Sequence, residues 1–136
     1  MHAFIVKLEN KPGSVADLAE AFGQQGINIT GASGIGWDGT GAVALITADE
    51  AGTRALLDQR GTDYREAELV SVGIEDRQPG SLGAAARRLA EKGINIEAMM
   101  ATGMSGSRVT VAFAVDDAAA AREALGDLAA VGNQPV

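Results

Sequence analysis

Polar and apolar residues alternate along Phe4-Ile5-Val6-Lys7-Leu8-Glu9, with Phe4, Val6 and Leu8 on one face and Lys7 and Glu9 on the other. That period of two predicts a half-buried strand. Asn10-Lys11-Pro12-Gly13 reads as a turn, after which Val15, Leu18, Ala19 and Phe22 recur at helical spacing and form one apolar stripe. Ser14 is placed to cap this helix, with Asp17 in the capping-box position, and Gly26 suits the left-handed residue that closes it. Ile27-Asn28-Ile29-Thr30 starts a second strand. Asp38-Gly39 signals a type I′ hairpin into a third strand over residues 42–48. A short helix over residues 51–59 and a fourth strand over 65–69 complete the pattern.

The pattern is then written again. Val70, Val72 and Ile74 repeat the first alternation at a spacing of 66 residues, and from Pro79-Gly80-Ser81 onward the spacing is 67. The second turn therefore holds one more residue than the first. Leu82, Ala85, Ala86 and Leu89 restate the helix stripe, and Gly93-Ile94-Asn95-Ile96 matches Gly26-Ile27-Asn28-Ile29. Ser105-Gly106 takes the place of Asp38-Gly39, Val109, Val111, Phe113 and Val115 alternate, and an alanine-rich helix follows over residues 118–128. Each half reads as β-α-β-β-α-β, the ferredoxin-like arrangement, with an antiparallel sheet and both helices on one face. The expectation is an α+β chain of two tandem domains, 1–69 and 70–136. Each is small enough that a lone core is marginal, so the halves should pack on each other or on another copy. Residues 129–136 are too short and too poor in β-branched residues for a closing strand. An edge over residues 70–74 would then lack a partner, which a second chain in a two-fold homodimer would supply.

Composition narrows the function. A net charge of −7 argues against nucleic acid and against an anionic membrane surface. No apolar run spans a bilayer and no leader pattern opens the chain, so a cytoplasmic protein is the default expectation. The absence of cysteine removes disulfides and thiolate metal sites. His2 is the only histidine, so neither a histidine metal cluster nor a triad is available. The Gly34-Ile35-Gly36-Trp37-Asp38-Gly39 stretch lies on a hairpin rather than between a strand and a helix, where a dinucleotide loop belongs. Asp49-Glu50 and Asp116-Asp117 precede helices and read as caps; Arg87-Arg88 reads as a solvated helix face. No catalytic residue, cofactor or metal is expected. Met99, Met100 and Met104, matched by spacing to Ala32, Ser33 and Trp37, read as core or interface residues, and Trp37 as an interface residue near a hairpin tip.

Two phrases carry a family resemblance. Leu8 through Val15 followed by Gly26-Ile27-Asn28-Ile29, and Ile74-Glu75-Asp76 with Pro79-Gly80-Ser81-Leu82 followed by Gly93 through Met100, resemble the ACT family of small regulatory domains in tandem. The second copy resembles the regulatory end of aspartate kinases, and the first the small regulatory subunit of acetolactate synthase. The copies leave no room for a catalytic domain, so the resemblance implies a freestanding regulatory protein rather than an enzyme, acting on a partner enzyme or regulator. It implies an amino-acid effector held where two domains meet, at the turn Asn10, Pro12 and Gly13 against a facing strand start such as Ile29 and Thr30. In the second copy the corresponding residues are Asp76, Pro79 and Gly80, with Ile96 and Glu97. The residue types suit a zwitterion. Amides at a helix N-terminus favour a carboxylate, glycine lets a ligand approach the backbone, and Asp76 accepts from an ammonium where Asn10 both donates and accepts. Bulky replacements of Gly13 or Gly80 are expected to block that approach without unfolding the protein. The alternative is a module that binds no ligand and only dimerises or docks on a partner.

Overall fold

In the computed structural model, which describes residues 1–129, the first half runs β1 (His2–Glu9), α1 (Ser14–Gln24), β2 (Ile29–Trp37), β3 (Thr40–Thr47) and α2 (Glu50–Gln59). It continues through β4 (Tyr64–Glu75), α3 (Ser81–Glu91), β5 (Ile96–Ser105), β6 (Arg108–Val115) and α4 (Ala118–Leu125), with a 3-10 turn at Gly126–Leu128. The chain is thus α+β, with antiparallel pairing of β1 and β2 to β3 and of β4 and β5 to β6. The strands expected at 65–69 and 70–74 are one strand of 12 residues. No glycine or proline occurs from Thr62 to Val72, so nothing stops the extended backbone at the Leu69-Val70 junction.

Contacts divide the chain into a unit of His2–Glu66 and a second unit of Met1 with the residues from Ala67 onward. In the first unit the strand order is β2-β3-β1, and the Lys7 amide donates 2.9 Å to the Asp63 carbonyl, bringing the start of β4 beside β1. Phe4, Val6, Val43 and Leu45 share one face with Leu18 and Phe22 of α1 and Leu56 and Leu57 of α2, so both helices cover that face. The second unit repeats the plan in the order β4-β6-β5. Val70, Val72, Val111 and Phe113 pack against Ala85 and Leu89 of α3 and Ala121 and Leu125 of α4. Residues of the other parity at the sheet centres are buried as well, Ala3, Ala44 and Ile46 in one unit and Ser71, Ala112 and Ala114 in the other. These strand centres are therefore withdrawn from water on both faces, where alternation alone left one face solvated.

Both first helices end as expected. Gly26 and Gly93 stand at φ 68° and 71°, and the amides of Ile27 and Ile94 reach back 3.0 Å to the carbonyls of Phe22 and Leu89. That is a Schellman closure with its apolar contact inside the core. Asp49 and Asp117 cap α2 and α4 through carboxylate bonds to the amides of Gly52 and Ala120. The α1 stripe is rotated from the expected one. Leu18, Ala21 and Phe22 are buried, while Ala19 is exposed and Val15 is 61% exposed at the open end of the helix. The hairpin at Asp38-Gly39 has only Asp38 left-handed, at φ 55°, so it is not the two-residue left-handed turn expected.

The second hairpin turns at Gly106-Ser107, because Ser105 pairs with Arg108. A bulge between Ala101 and Gly103 absorbs one extra residue, so the spacing between copies becomes 68 from Gly103 onward. Trp37 pairs with Thr40, on the face away from the helices, whereas Met104 pairs with Val109 on the helix face. The two residues matched by spacing therefore lie on opposite faces. Helix α4 stops at Leu125, where Gly126 takes φ 51°, rather than at 128. An antiparallel bridge joins Val72 to Ala129, so the strand edge expected to lie open has a contact at Val72. The rest of the tail, residues 130–136, lies outside the described residues.

Candidate functional site

The turn after β1 is built around a glycine. Gly13 is the residue before α1 and stands at φ 93°, ψ −19°; Gly80 holds the same place before α3 at φ 94°, ψ −7°. Neither helix has a side-chain cap, so Ser14 does not play the capping role read from its position. The Gly13 and Gly80 carbonyls accept 2.9 Å bonds from Asp17 and Ala84, which leaves the first-turn amides of both helices without a capping side chain. Ser81 Oγ instead donates 2.9 Å to the Gln78 carbonyl. A Cβ at Gly13 or Gly80 would meet nothing within 4 Å, yet the left-handed backbone strains any L side chain there. Bulky replacement therefore carries a folding cost, contrary to the expectation above.

Each turn opens onto a groove. The first, of 310 Å³, lies between the turn and the ends of β2 and β3, with Asn10, Lys11 and Val15 on one side and Gly34, Gly36 and Gly41 on the other. Asn10 Nδ2 donates 2.7 Å to the Asp38 carbonyl and the Asn10 amide donates 3.1 Å to Gly39, so this side chain ties the turn to the hairpin. Its carboxamide donor is thus partly committed, and its oxygen is the group the groove retains. Lys11 Nζ lies 2.9 Å from Glu9 Oε2; that hydrogen bond and the ammonium charge hold the Glu9 carboxyl below the usual range.

The second groove, of 400 Å³, is lined by Gly73, Glu75, Pro79, Gly80, Arg88 and Arg108 among others. Arg88 is half-buried rather than on a solvated face, and its Nη1 donates 3.0 Å to the Leu125 carbonyl and 3.1 Å to Asp127 Oδ1. Arg108 Nη2 donates 3.1 Å to the Gly73 carbonyl. A Cβ on Gly73 would sit 2.8 Å from that nitrogen, so glycine is what lets the guanidinium lie across β4. Sequence reasoning missed both arginines as groove residues.

The ten residues expected at the sites do not all meet. Asn10 lines the first groove; Pro79 and Gly80 line the second. Pro12 and Gly13 lie in the first turn, and Asp76, in the second, gives its amide 2.7 Å to the Ser107 carbonyl. Ile29 pairs with Thr47, seven positions along β3 from Thr40, the partner of Glu9. At about 3.3 Å per residue that is roughly 23 Å from the turn. Thr30 Oγ1 bonds the Ile46 carbonyl at that far end. Ile96, paired with Val115, is just as far from Glu75, and Glu97 Oε1 accepts from Asn95 Nδ2 beside it. Within either unit the strand starts and the turns occupy opposite ends of the sheet.

A different kind of surface lies on the face of the first unit away from its helices. There Ile35 and Trp37 are 68% and 78% exposed above a 520 Å³ hollow that includes Lys7, Thr40 and Ala42. Among the described residues there is no cluster of metal-binding side chains, and no helix is long and apolar enough to cross a membrane.

This architecture is the ACT fold, as found in regulatory units of aspartate kinases. The regulatory subunit of aspartate kinase from Thermus thermophilus, in its ligand-free form, superposes with a TM-score of 0.63 at 22% identity, over 91% of this chain and 90% of that one. Protein BT0572 from Bacteroides thetaiotaomicron superposes with a TM-score of 0.72 at 19% identity, over 91% and 85%. The corresponding subunit from Thermus flavus gives 0.61 at 23% identity, over 91% and 90%. No family model and no curated sequence matches the chain at a significant level.

Proposed function

We propose that this chain is a regulatory protein of two tandem ACT domains, about 1–69 and 70–136, that binds an amino acid at the turns after β1 and β4 and signals that binding to a partner enzyme or regulator. The observation that carries the reading is the repeated turn. In both copies a strand ends, a left-handed glycine precedes the helix, no side chain caps that helix, and a groove opens beside it. Uncapped amides with the helix dipole behind them suit an α-carboxylate. The grooves are of the size that small-molecule sites take. Because a unit keeps its strand start far from its own turn, a site that used both groups would be completed by another domain copy, and this links effector binding to homodimer formation.

A thermal-shift series with the common amino acids tests the proposal. A ligand that binds only the native state raises Tm with its concentration, by a free energy that grows as the logarithm of ligand over Kd. One or more amino acids should do so. A flat response across all of them refutes ligand binding and favours the second reading, docking without a ligand, for which the exposed Ile35 and Trp37 supply an apolar surface.

A further inference from the structure

The two grooves share a backbone plan but not the same charged side chains. In the first, the charged lining residues are Glu9 and Lys11, which neutralise one another in a 2.9 Å ion pair. In the second, two guanidinium groups, Arg88 and Arg108, line the groove with one carboxylate, Glu75, and Arg88 is paired at 3.1 Å with a further carboxylate, Asp127, that is not part of the lining. The difference lies in the donors: two planar forks in place of one lysine. Nothing in the first copy corresponds. Arg88 falls where α1 has Ala21, and Arg108 falls where β3 has Thr40.

The arginines are placed, not merely present. Arg108 leaves the start of β6 and is laid across β4 by its bond to the Gly73 carbonyl, in space that only a glycine provides. Arg88 reaches from α3 to the last carbonyl of α4, that of Leu125, and to the carboxylate of Asp127 just beyond it. Both anchors engage a single terminal nitrogen, Nη2 of Arg108 and Nη1 of Arg88. A guanidinium has five N–H donors in a planar fork that fits a carboxylate bidentately, so each keeps donors to offer. Glu75, the register partner of Arg108, supplies the acceptor that an ammonium group requires.

We propose that the second groove, between Gly73–Glu75, the Pro79-Gly80 turn and the guanidinium groups of Arg88 and Arg108, selects an acidic amino acid, while the first groove lacks that selectivity. The inference rests on the amino-acid-binding reading above and assigns a ligand class to one of its two sites. The side-chain carboxylate of the ligand is held by the arginines and its ammonium by Glu75; inorganic phosphate or a simple dicarboxylate satisfies only the first.

Isothermal titration of the full chain with L-aspartate, L-glutamate, L-asparagine, L-glutamine and succinate decides it. At least one acid should bind tenfold or more tightly than its amide, and more tightly than succinate. Arg108→Gln, at an exposed strand end, should erase the difference between acid and amide while the protein still unfolds cooperatively in the absence of ligand. Arg88→Gln should do the same to the affinity ratio, whatever it does to stability. Equal affinity for acid and amide, or a preference that survives both substitutions, overturns the assignment and leaves the proposed function intact. Succinate binding as tightly as aspartate overturns the role of Glu75 and with it the amino-acid class. A chain that binds none of the five acidic or amide compounds but responds to another amino acid also overturns this inference alone, whereas no response to any amino acid overturns both.

Discussion

Replacing Gly36 by alanine should destabilise the protein in one background and stabilise it in another. A Cβ on Gly36 would lie 2.6 Å from both Nδ2 and Oδ1 of Asn10, the side chain that ties the first turn to the hairpin by its 2.7 Å bond to the Asp38 carbonyl. Gly36 is not in the left-handed region, so alanine fits its backbone, and the conflict is with the carboxamide alone. The carboxamide must swing away and lose its bond, which costs about 1 kcal/mol for a net hydrogen bond of this kind. Removing glycine from the unfolded ensemble and the strand returns about 0.5 kcal/mol. Gly36→Ala should therefore destabilise the native protein by roughly 0.5 kcal/mol. In an Asn10→Ala background the bond is already gone, and the same change should stabilise by about 0.5 kcal/mol. The coupling of about 1 kcal/mol exceeds the few tenths within which distant sites add. Urea unfolding of the four proteins measures it through the midpoint at constant m. If Gly36→Ala has the same sign and size in both backgrounds, Asn10 is not holding the hairpin.

Other consequences are independent of that cycle. Phe22 is wholly buried and Val15 is 61% exposed on the same helix, so Phe22→Ala should cost about 3–5 kcal/mol and Val15→Ala under about 0.5, by urea unfolding; comparable costs would refute the burial pattern. Gly13→Ala should cost about 1–2 kcal/mol from its φ of 93°, whereas Gly23→Ala, inside α1 with nothing within 4 Å, should stabilise by about 0.5–1, and a reversed order would show that Gly13 is not left-handed. Burial pushes the Glu50 carboxyl up, but the side-chain and backbone hydrogen bonds from His2 and the nearby positive charges outweigh it and hold it below the usual range. Hydrogen bonds from Arg54 hold Glu66 down likewise. Folded carboxyls below their unfolded values stabilise above the unfolded pKa, and that stabilisation is lost as pH falls through the folded ones. Stability should therefore fall below about pH 4.5, and Glu50→Gln with Glu66→Gln should flatten that acid limb relative to the native protein; parallel limbs would sink the argument.

Much of the fold was legible because local chemistry and tertiary structure agree in it. Gly26 and Gly93 close their helices, Asp49 and Asp117 cap theirs, and the alternation of Phe4, Val6 and Leu8 marks the face that meets α1 and α2. Errors arose where a local signal had a competitor. Ser14 and Asp17 formed a plausible capping box, but the glycine before them takes the cap with its backbone alone. The repeat divided residues 65–74 into two strands, although no glycine or proline lies at their junction, and one strand formed. The extra residue of the second copy was invisible around Met99 to Met104, because every register through that apolar and small stretch preserves similar chemistry; the bulge after Ala101 was fixed by pairing with β6.

The groove arginines were illegible for a further reason. Arg88 lies on a helix and Arg108 after a hairpin, and in sequence each is an ordinary exposed charge. Only the register Glu75 to Arg108 and the reach of Arg88 to the end of α4 bring the three charged groups to one opening. A repeat preserves what the backbone requires, and the two turns accordingly keep the same glycine at φ 93° and 94°. Charge at the groove rim is not a backbone requirement, so the copies could diverge there without loss of fold. One rim carries the ion pair of Glu9 and Lys11, and the other carries two guanidinium groups, Arg108 anchored to the Gly73 carbonyl and Arg88 to the Leu125 carbonyl and the Asp127 carboxylate. Each anchored arginine has less rotamer freedom left to lose on binding than a free surface lysine, which makes it a better receptor for a carboxylate at equal charge. On that reasoning Arg108→Lys, which keeps the charge but gives up the fork, should lose most of the preference for acid over amide. A lysine variant with the full preference would show that net charge alone sets the selectivity.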